Sequence, residues 1–263
     1  MAALLKPKRL EAIIDEARAH RQVTVAALSD RFGVSEITIR RDLHELVNTG
    51  QLRRTYGGAV MPISAAPELP MLQRTDQMRT YKKAIGYTAA QLVHDGESIF
   101  VGTGTTTSCI LPHITDRKDL TVITNALNVA LSLATSPGIT VVVTGGLLRS
   151  TELSLVGHLT ARSLCELRVD KVLVGMRTIS LEAGLTNDSL MEVETDRTII
   201  DMSPELIVLA DHTKFGKVAS AFIAPIESIA TLVTDWETDP RTIEALHRLG
   251  IRTVVAEEWP VGA

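Results

Sequence analysis

The sequence predicts an α/β protein of two domains, a small N-terminal winged helix-turn-helix and a larger C-terminal domain with a mostly parallel sheet. Three observations predict this fold class. Apolar residues recur at helical spacing on both sides of Gly33, a proline-rich segment without periodicity follows, and short apolar runs then alternate with helical stretches. We therefore assign residues 1–60 to the first domain, 61–71 to a linker and 72–263 to the second domain.

The first domain opens with an amphipathic helix and continues into a helix-turn-helix. The helix starts at Lys6-Pro7-Lys8-Arg9, and its apolar positions are separated by charged ones, unlike the core of a signal peptide. Val25, Leu28 and Phe32 predict the next helix. Gly33 can take the positive φ of a tight turn, and Ser35 can cap the helix that follows.

That following helix has two distinct faces. About 100° per residue brings its apolar positions together on one side, where they can pack inward: Ile39, Leu43, Leu46 and Val47. The opposite face is centred on Ile37, Arg41 and His44. An exposed isoleucine among polar residues suits a DNA major groove, where thymine methyls and base edges are met together. Alternatively, Arg40, Arg41 and Asp42 form a charged surface in which Asp42 holds an arginine, and such a pair can also orient a guanidinium that reads DNA.

A β-wing is predicted after this helix. Residues 52–56 suit a strand, and Gly57-Gly58 suits a sharp turn, so Arg53 and Arg54 would lie against the phosphate backbone. The residues that we expect to contact DNA are Ser35, Ile37, Thr38, Arg40, Arg41, His44, Arg53, Arg54 and Tyr56.

Charge is distributed unevenly along the chain. Residues 1–60 hold ten Lys and Arg against seven acidic residues, a net charge of +3, which leaves −7 for the rest of a chain whose total is −4. Because +3 is modest, we expect a homo-oligomer, at least a dimer, to supply enough phosphate contacts. No apolar stretch is long enough to cross a bilayer, so we expect a cytoplasmic protein that does not contact membranes. Cys109 and Cys165 fit no metal spacing, and we expect both to be reduced core residues.

The second domain is predicted to contain a helix over residues 72–93 and then seven strands, with helices between most of them. The predicted strands are residues 98–101, 120–124, 140–144, 171–174, 206–210, 229–233 and 252–255. Runs such as Val141-Val142-Val143 are apolar without alternation, as expected of strands covered on both faces of a parallel sheet. Aromatic residues make up only 3% of the chain, which argues against a stacking platform for single-stranded nucleic acid.

A candidate anion site follows the first of these strands. In Gly102-Thr103-Gly104-Thr105-Thr106-Thr107, glycines let the backbone approach an oxyanion, while successive N–H groups, threonine hydroxyls and a helix N-terminus favour it. The segment lacks the lysine of a P-loop and the spacing of a dinucleotide fingerprint, so nucleotide binding is a poor interpretation. The alternative is a strand-to-helix turn capped by threonine.

Other strand ends add polar groups to the same edge of the sheet, where α/β folds bind ligands. The further residues expected at this effector site are Asn125, Gly145, Gly146, Arg149 and Lys214. Asn125 could instead cap a helix, and Arg149 could be solvated. Lys214 lies just beyond a buried strand, where a flexible cation can close over an anion.

These motifs resemble the DeoR family of bacterial sugar-metabolism regulators. The winged helix-turn-helix pattern lies in Thr38-Ile39-Arg40-Arg41-Asp42-Leu43 and Arg54-Thr55-Tyr56-Gly57-Gly58-Ala59. The sensor pattern lies in Asp95-Gly96, Gly104-Thr105-Thr106-Thr107, Thr124-Asn125, Gly145-Gly146 with Arg149, Asp170-Lys171, Gly184-Leu185-Thr186, Glu192 with Glu194, and Ala210-Asp211-His212-Thr213-Lys214-Phe215-Gly216. The chain departs from the pattern at Tyr56, where many members have His, at Gly102, where many have Asp, and at Asp196, where many have a basic residue.

The resemblance implies a sensor fold related to ribose-5-phosphate isomerase and the CoA transferases, with a phosphorylated sugar or related metabolite as effector. We therefore expect a DNA-binding repressor of a sugar or carbohydrate catabolic operon, released from double-stranded operator DNA by that effector. The alternative is a sugar-phosphate isomerase-like enzyme with an appended DNA-binding head, for which Glu192, Glu194 and Asp211 are candidate bases. Because the sequence contains no compact catalytic cluster, we predict no enzyme, no metal and no cofactor.

Overall fold

The computed structural model describes residues 6–20, 22–48, 52–60 and 69–258. The chain divides into two compact units, Met1–Glu68 and Leu69–Ala263. Residues 61–68 of the predicted linker lie outside the described residues, and the second unit is already ordered at Met71, which is buried and donates its N–H to Thr151 O at 2.8 Å. No described helix is long and apolar enough to cross a membrane.

The N-terminal unit is a winged helix-turn-helix. Its elements are α1 (Lys6–His20), β1 (Gln22–Thr24), α2 (Val25–Phe32), α3 (Glu36–Asn48), β2 (Arg53–Thr55) and β3 (Gly58–Val60). The strands form an antiparallel sheet in the order β1-β3-β2, so the wing is confirmed and gains a third strand that the sequence did not predict. Ile13, Leu28, Ile39 and Leu43 meet in its core.

Local chemistry explains where these helices begin and end. Thr24 caps α2 by accepting the N–H of Ala27 at 3.2 Å, and Gly33 ends it with a left-handed φ of 62°. Ser35 then caps α3, since its Oγ accepts the N–H of Thr38 at 3.3 Å. The turn and the cap were both predicted, and both are confirmed.

The C-terminal unit is an α/β domain. Its elements are α4 (Met71–Arg74), α5 (Arg79–Ala90), β4 (Ser98–Val101), α6 (Thr105–Ser108), β5 (Leu120–Thr124), α7 (Leu127–Leu133), β6 (Ile139–Val143), β7 (Leu147–Arg149), β8 (Ser154–Val156), α8 (His158–Cys165), β9 (Lys171–Gly175), β10 (Thr178–Ser180), β11 (Gly184–Asn187), α9 (Val193–Ile200), β12 (Leu206–Leu209), β13 (Ala221–Ala224), β14 (Thr231–Thr234), α10 (Pro240–Arg248) and β15 (Arg252–Val255). Short 3₁₀ turns occupy Leu111–His113, His212–Lys214 and Ile226–Ser228.

The main sheet is parallel throughout and has seven strands in the order β15-β14-β12-β9-β4-β5-β6. These are the seven strands predicted from the sequence, and they confirm the predicted fold class. The smaller sheets β10-β11-β13 and β7-β8 were not predicted, because strands of three or four residues carry too little periodicity.

The central strands are covered on both faces. Ile99 and Val101 of β4 enter one core with α5, whereas Phe100 between them enters a second core with α8 and α9. The prediction that the strands are covered on both faces is wrong for Val142 and Val143, which are 38% and 43% exposed. They belong to β6, which lies at the end of the sheet, and burial on both faces requires neighbours that an edge strand lacks.

Two further expectations are corrected. The predicted helix 72–93 is broken, because Met78 has a left-handed φ of 53° and Arg74 O accepts a bond from Lys82 Nζ at 2.9 Å in place of helical continuation. Both cysteines are free, as expected, but Cys165 is exposed and Cys109 only partly buried, so neither is a core residue.

Candidate nucleic-acid interface and effector site

The exposed face of α3 and the wing line one groove. Ile37 is 64% exposed, although Ile39 two residues later is fully buried. The groove is lined by Ile37, Arg40, Arg41, His44, Glu45, Asn48 and Arg54. The structure thus brings five of the nine predicted DNA-contacting residues onto one concave surface that is apolar at Ile37 and cationic around it.

The polar side chains of this face differ in the hydrogen-bond and ion-pair partners that they have within the protein. Arg40 Nη2 pairs with Glu36 Oε2 at 3.1 Å. His44 Nδ1 lies 3.1 Å from the amide nitrogen of Asn48, so in the neutral imidazole Nε2 carries the proton and faces away from that bond. Arg41 has no hydrogen bond or ion pair among the described residues, and its guanidinium is available to a ligand.

Asp42 does not belong to this surface, contrary to the alternative in which it holds an arginine on the exposed face of the helix. It is 2% exposed and accepts two bonds from Arg9 of α1, at 2.6 Å from Nε and 3.3 Å from Nη2. A carboxylate turned into the core cannot orient Arg40 or Arg41 toward DNA. The pair instead ties α1 to α3.

Three of the remaining predicted DNA contacts lie at the start of α3 and in the wing turn. Ser35 Oγ and Thr38 Oγ1 are 3.0 Å apart at the start of α3, and both residues serve the helix cap. Tyr56 is fully exposed in the wing turn, next to Gly57 with its positive φ of 81°. The backbone of Arg53 pairs with Val60, while its side chain lies outside the described part of the structure.

In the second unit, the predicted anion-binding turn connects β4 to α6. Gly104 has φ 122°, a conformation that side chains disfavour, and Thr105 and Thr106 are buried beside it. The expectation that successive threonine hydroxyls face an anion is wrong for two of them. Thr103 Oγ1 donates to Glu152 O at 2.7 Å, and Thr107 Oγ1 donates to Thr103 O at 2.8 Å. The backbone N–H groups of the first turn remain the donors that this segment can offer.

The predicted glycines serve mainly close packing. A Cβ on Gly102 would meet Val174, and one on Gly146 would collide with the side chain of Thr160. Thr160 Oγ1 in turn donates to Gly145 O at 2.6 Å. These contacts hold α8 against the end of β6.

Asn125 is a buried side chain at the end of β5. Its Nδ2 donates to Leu155 O at 3.0 Å, whereas its Oδ1 has no hydrogen-bond partner among the described residues. The helix-cap alternative is wrong, because the N-cap of α7 is Ala126 and no described side chain caps this helix. A buried acceptor without a partner costs free energy unless water or a ligand supplies a donor.

A group of cations lies beside the turn, and Lys214 is the member of it that the sequence predicts as an effector contact. Lys82 is 5% exposed on α5, one helical turn before Gly86, whose Cα packs against Cys109 after α6. Burial lowers the pKa of the Lys82 ammonium; Asp211 opposes this shift, and Lys214 and Arg74 add to it. Arg74, Lys82 and Lys214 are therefore near one another, and we call these three residues the cationic cluster. Arg74 also pairs with Glu152.

Arg149 belongs to a different cluster, formed with Glu192 before α9. Its Nη1 lies 2.8 Å from Glu192 Oε1, so the side chain is paired with a carboxylate and is not a freely solvated arginine. Asn187 Nδ2 bonds both Glu192 Oε2, at 3.1 Å, and Asp196 Oδ2, at 2.9 Å. Burial, with the charge of Glu192 as the next cause, raises the pKa of Asp196 to about 7, and the bond from Asn187 and the charge of Arg149 oppose this shift.

The other candidate bases are not arranged for proton transfer. Glu194 is exposed on α9, and Asp211 Oδ1 caps the 3₁₀ turn by accepting the N–H of Thr213 at 3.0 Å. Its neighbour His212 bonds Asp235 through Nδ1 at 2.9 Å and packs edge-on against Tyr81. In the described part of the chain, no three His, Cys, Asp or Glu residues are placed to hold a metal ion.

A DNA-reading helix with a basic wing, together with an α/β unit that carries a cationic cluster, defines a class of protein: a DNA-binding regulator with a sensor domain. Sequence comparison gives its family. The model of the DeoR-like helix-turn-helix domain matches residues 9–65, and that of the DeoR C terminal sensor domain matches residues 77–236. The chain belongs to the DeoR family of transcriptional regulators.

Named relatives cover almost the whole chain. The transcriptional repressor AccR of Agrobacterium fabrum is 32% identical over 88% of this chain and 89% of that protein. The HTH-type transcriptional repressor GlcR of Bacillus subtilis is 31% identical over 97% of this chain and 98% of that protein. The glycerol-3-phosphate regulon repressor of Escherichia coli is 30% identical over 87% of this chain and 90% of that protein.

These relatives confirm the predicted family and favour a transcriptional regulator over the isomerase-like enzyme. Among solved structures, ribose 5-phosphate isomerase from Plasmodium falciparum is 19% identical, with a TM-score of 0.38 over 52% of each chain.

Proposed function

We propose that this protein represses a sugar or carbohydrate catabolic operon and leaves its operator when a phosphorylated sugar or related metabolite binds the second unit. The observation that carries the effector half is the buried Lys82. This ammonium is 5% exposed, and although Lys82 Nζ bonds Arg74 O and Asp211 favours the charged form, burial together with Lys214 and Arg74 lowers its pKa. An anionic ligand would add negative charge beside it.

The relatives support the carbohydrate assignment. AccR and GlcR are named repressors, and the protein from Escherichia coli is named for a regulon of glycerol 3-phosphate, a small phosphorylated polyol. A ligand of that kind matches a site that combines N–H donors and lysines for the phosphate with buried amide and hydroxyl groups for the carbon skeleton. Asn125 Oδ1 is the acceptor that we assign to a ligand hydroxyl.

The effector residues we propose are therefore fewer than the sequence predicted and partly different. Lys82 and Lys214 bind the phosphate with the backbone of residues 103–106, and Thr105 and Thr106 line the turn. Gly102 and Gly146 let the backbone pack closely, and Gly104 provides the positive φ of the turn. Gly145 contributes its carbonyl, which accepts the hydroxyl of Thr160, and Arg149 acts through Glu192.

The DNA half of the proposal assigns the exposed face of α3 to the major groove and the wing to the phosphate backbone. Ile37, Arg41 and His44 lie on the face of α3 that reads base edges. Arg54 and Tyr56 belong to the wing and contact the phosphate backbone of the DNA. The protein acts in the cytoplasm as a homo-oligomer, at least a dimer, because a head with a net charge of +3 needs a second copy for useful affinity.

Fluorescence anisotropy with the intergenic DNA upstream of the gene and its neighbours tests both halves. We expect binding that survives competitor DNA and that a phosphorylated sugar reverses, while the matching unphosphorylated sugar does not. Sequence-specific binding that no member of a panel of sugar phosphates alters would contradict the effector assignment, and absence of specific binding to any neighbouring promoter would contradict the operator assignment.

A further inference from the structure

We propose that the outer edge of β6 and the apolar side chains around it form the surface through which two copies of this chain associate, with the two β6 strands pairing antiparallel across a twofold axis. We call this the β6 surface and define it by Leu131, Val142, Val143, Leu147, Leu148 and Leu159. The inference rests on the proposed function in one respect, since an operator read by two heads requires two copies.

The first observation is an unprotected strand edge. All five residues of β6 pair with β5 in unbroken register, and within the described ranges no strand pairs with its other side. Edge strands are usually protected by a charge, a proline or a bulge, because their free N–H and C=O groups would otherwise recruit another strand. Ile139-Thr140-Val141-Val142-Val143 contains none of these devices.

The opposite edge of the same sheet provides the contrast. There β15 opens with the exposed Arg252, and the acidic Glu257 and Glu258 follow the strand closely. Charges at an edge oppose pairing with a second chain. One edge of the sheet therefore carries a protective charge, whereas the other does not.

The second observation is exposed apolar area on both sides of the β6 edge. The six residues of the β6 surface are between 38% and 77% exposed. Leu131 lies on α7, which packs on β6 from the side of Ile139 and Val141. Leu159 lies near the start of α8, which is held to the end of β6 through Thr160 and Gly145.

Together these side chains expose roughly 600 Å² of apolar surface, compared with about 800 Å² in total that each partner buries in a standard interface. Strand pairing would bury backbone and Thr140 in addition. The largest apolar patch on a typical soluble monomer measures about 300–600 Å² and is often functional. The area is therefore close to what a stable dimer needs.

A second copy is the occupant that suits this surface best. An antiparallel pair of identical strands is self-complementary, and a twofold axis near Val141 would place each five-residue edge opposite itself. The distribution of charge also favours a second copy at this surface. Residues 61–263 carry a net charge of −7, so two copies repel over most of their surface, whereas the six residues of the β6 surface carry no charge.

Sedimentation equilibrium of the full-length chain, with and without Val142→Lys, tests the proposal. A lysine one residue from the axis would bring a charge opposite Thr140 of the second copy and diagonally across from the second lysine, with no counter-charge, so we expect the dissociation constant of the dimer to rise by roughly tenfold or more. The matched control is Val255→Lys on β15, because Val255 is 41% exposed and Val142 38%. The control should self-associate like the wild type, and circular dichroism and the melting temperature should show both variants folded.

If Val142→Lys fails to fold, Leu147→Glu supplies a second variant on a residue that is 61% exposed and outside the main sheet. A folded Val142→Lys or Leu147→Glu that dimerises like the wild type would overturn the proposal. So would a wild-type chain that stays monomeric at concentrations that saturate its operator; that result would also contradict the proposed homo-oligomer, but it would leave operator binding and release by the effector standing. Conversely, Val142→Lys could break the dimer while the wild-type chain binds no neighbouring promoter. That result would support the β6 surface and contradict the proposed operator binding.

Discussion

Arg9 of α1 and Asp42 of α3 form a buried ion pair with two bonds, at 2.6 Å and 3.3 Å, across 33 residues of sequence. The pair fixes the first helix of the DNA-binding unit to the helix that reads DNA. It also explains why Arg41, next to Asp42 in sequence, faces the groove without a partner among the described residues. The carboxylate that could have held it is used in the core.

Asp42→Asn should destabilise the N-terminal unit strongly. Removal of one member of a buried pair leaves the other charge without compensation, and such changes cost about 3–5 kcal/mol. Glu36→Gln is the control, because it breaks the exposed pair with Arg40, worth about 1 kcal/mol or less. Denaturant unfolding followed by a probe in the N-terminal unit should separate the two variants. Equal effects would mean that the buried pair contributes no more than an exposed one.

Arg41→Ala should weaken operator binding while leaving effector binding unchanged. Loss of a base or phosphate contact typically costs about 1–3 kcal/mol, and a lost phosphate contact also lowers the salt dependence of binding by about one unit of slope. Anisotropy titrations at several salt concentrations measure both quantities. Arg248→Ala, an exposed arginine on α10 of the other unit, should bind the operator like the wild type. A normal affinity for Arg41→Ala would remove this residue from the interface.

Lys82→Met and Lys214→Ala should each retain operator binding and require a higher effector concentration for release. A hydrogen bond to a charged group contributes about 1.5–3 kcal/mol, so we expect the required concentration to rise by roughly tenfold or more. The measurement is release of labelled operator as the sugar phosphate is titrated. Lys118→Met, at an exposed lysine in the loop before β5, is the control. Release at the wild-type concentration in both variants would refute the cationic cluster as the phosphate site.

Thr105→Ala should raise the effector concentration needed for release without a large loss of stability, since no hydrogen bond of its hydroxyl is recorded among the described residues. Thr103→Ala should behave differently, because its hydroxyl donates to Glu152 O at 2.7 Å and a buried acceptor would lose its donor. Thermal unfolding and operator release measured on both variants distinguish the two roles. If Thr105→Ala responded to limiting and saturating effector like the wild type, the turn would not be the anion site.

Asp196 should make stability fall as the pH rises from about 4 to 7. Its pKa is raised from an ordinary value of 3.8 to about 7, so in this interval the folded protein holds a proton that the unfolded chain has released. The loss is complete above the folded pKa, and its slope cannot exceed about 1.4 kcal/mol per pH unit. Asp196→Asn should flatten the profile and raise stability at pH 8, whereas Asp201→Asn at the end of α9 should preserve it. An unchanged pH profile in Asp196→Asn would contradict the raised pKa.

Elements that depend on local spacing were predictable. The turn at Gly33, the cap at Ser35, the wing turn at Gly57 and the seven strands of the main sheet all follow from periodicity, glycine and capping chemistry within a few residues. The helical pattern also contained a signal that was missed. Asp42 follows Ile39 by three residues and precedes Leu46 by four. Lys82 precedes Ile85 by three residues and Gly86 by four, so both charges occupy inward-facing positions of their helices.

What the sequence alone determined about this protein is its class, a winged helix-turn-helix joined to a parallel α/β sensor, because local patterns specify helices, turns and strands. Only the tertiary structure decided the partner of Asp42, the burial of Lys82 beside the predicted anion site, the pairing of Arg149 with Glu192 and the edge position of β6. Each of these depends on which distant segments become neighbours. Local spacing does not encode strand order or the partner of a buried charge, since both result from packing over the whole chain.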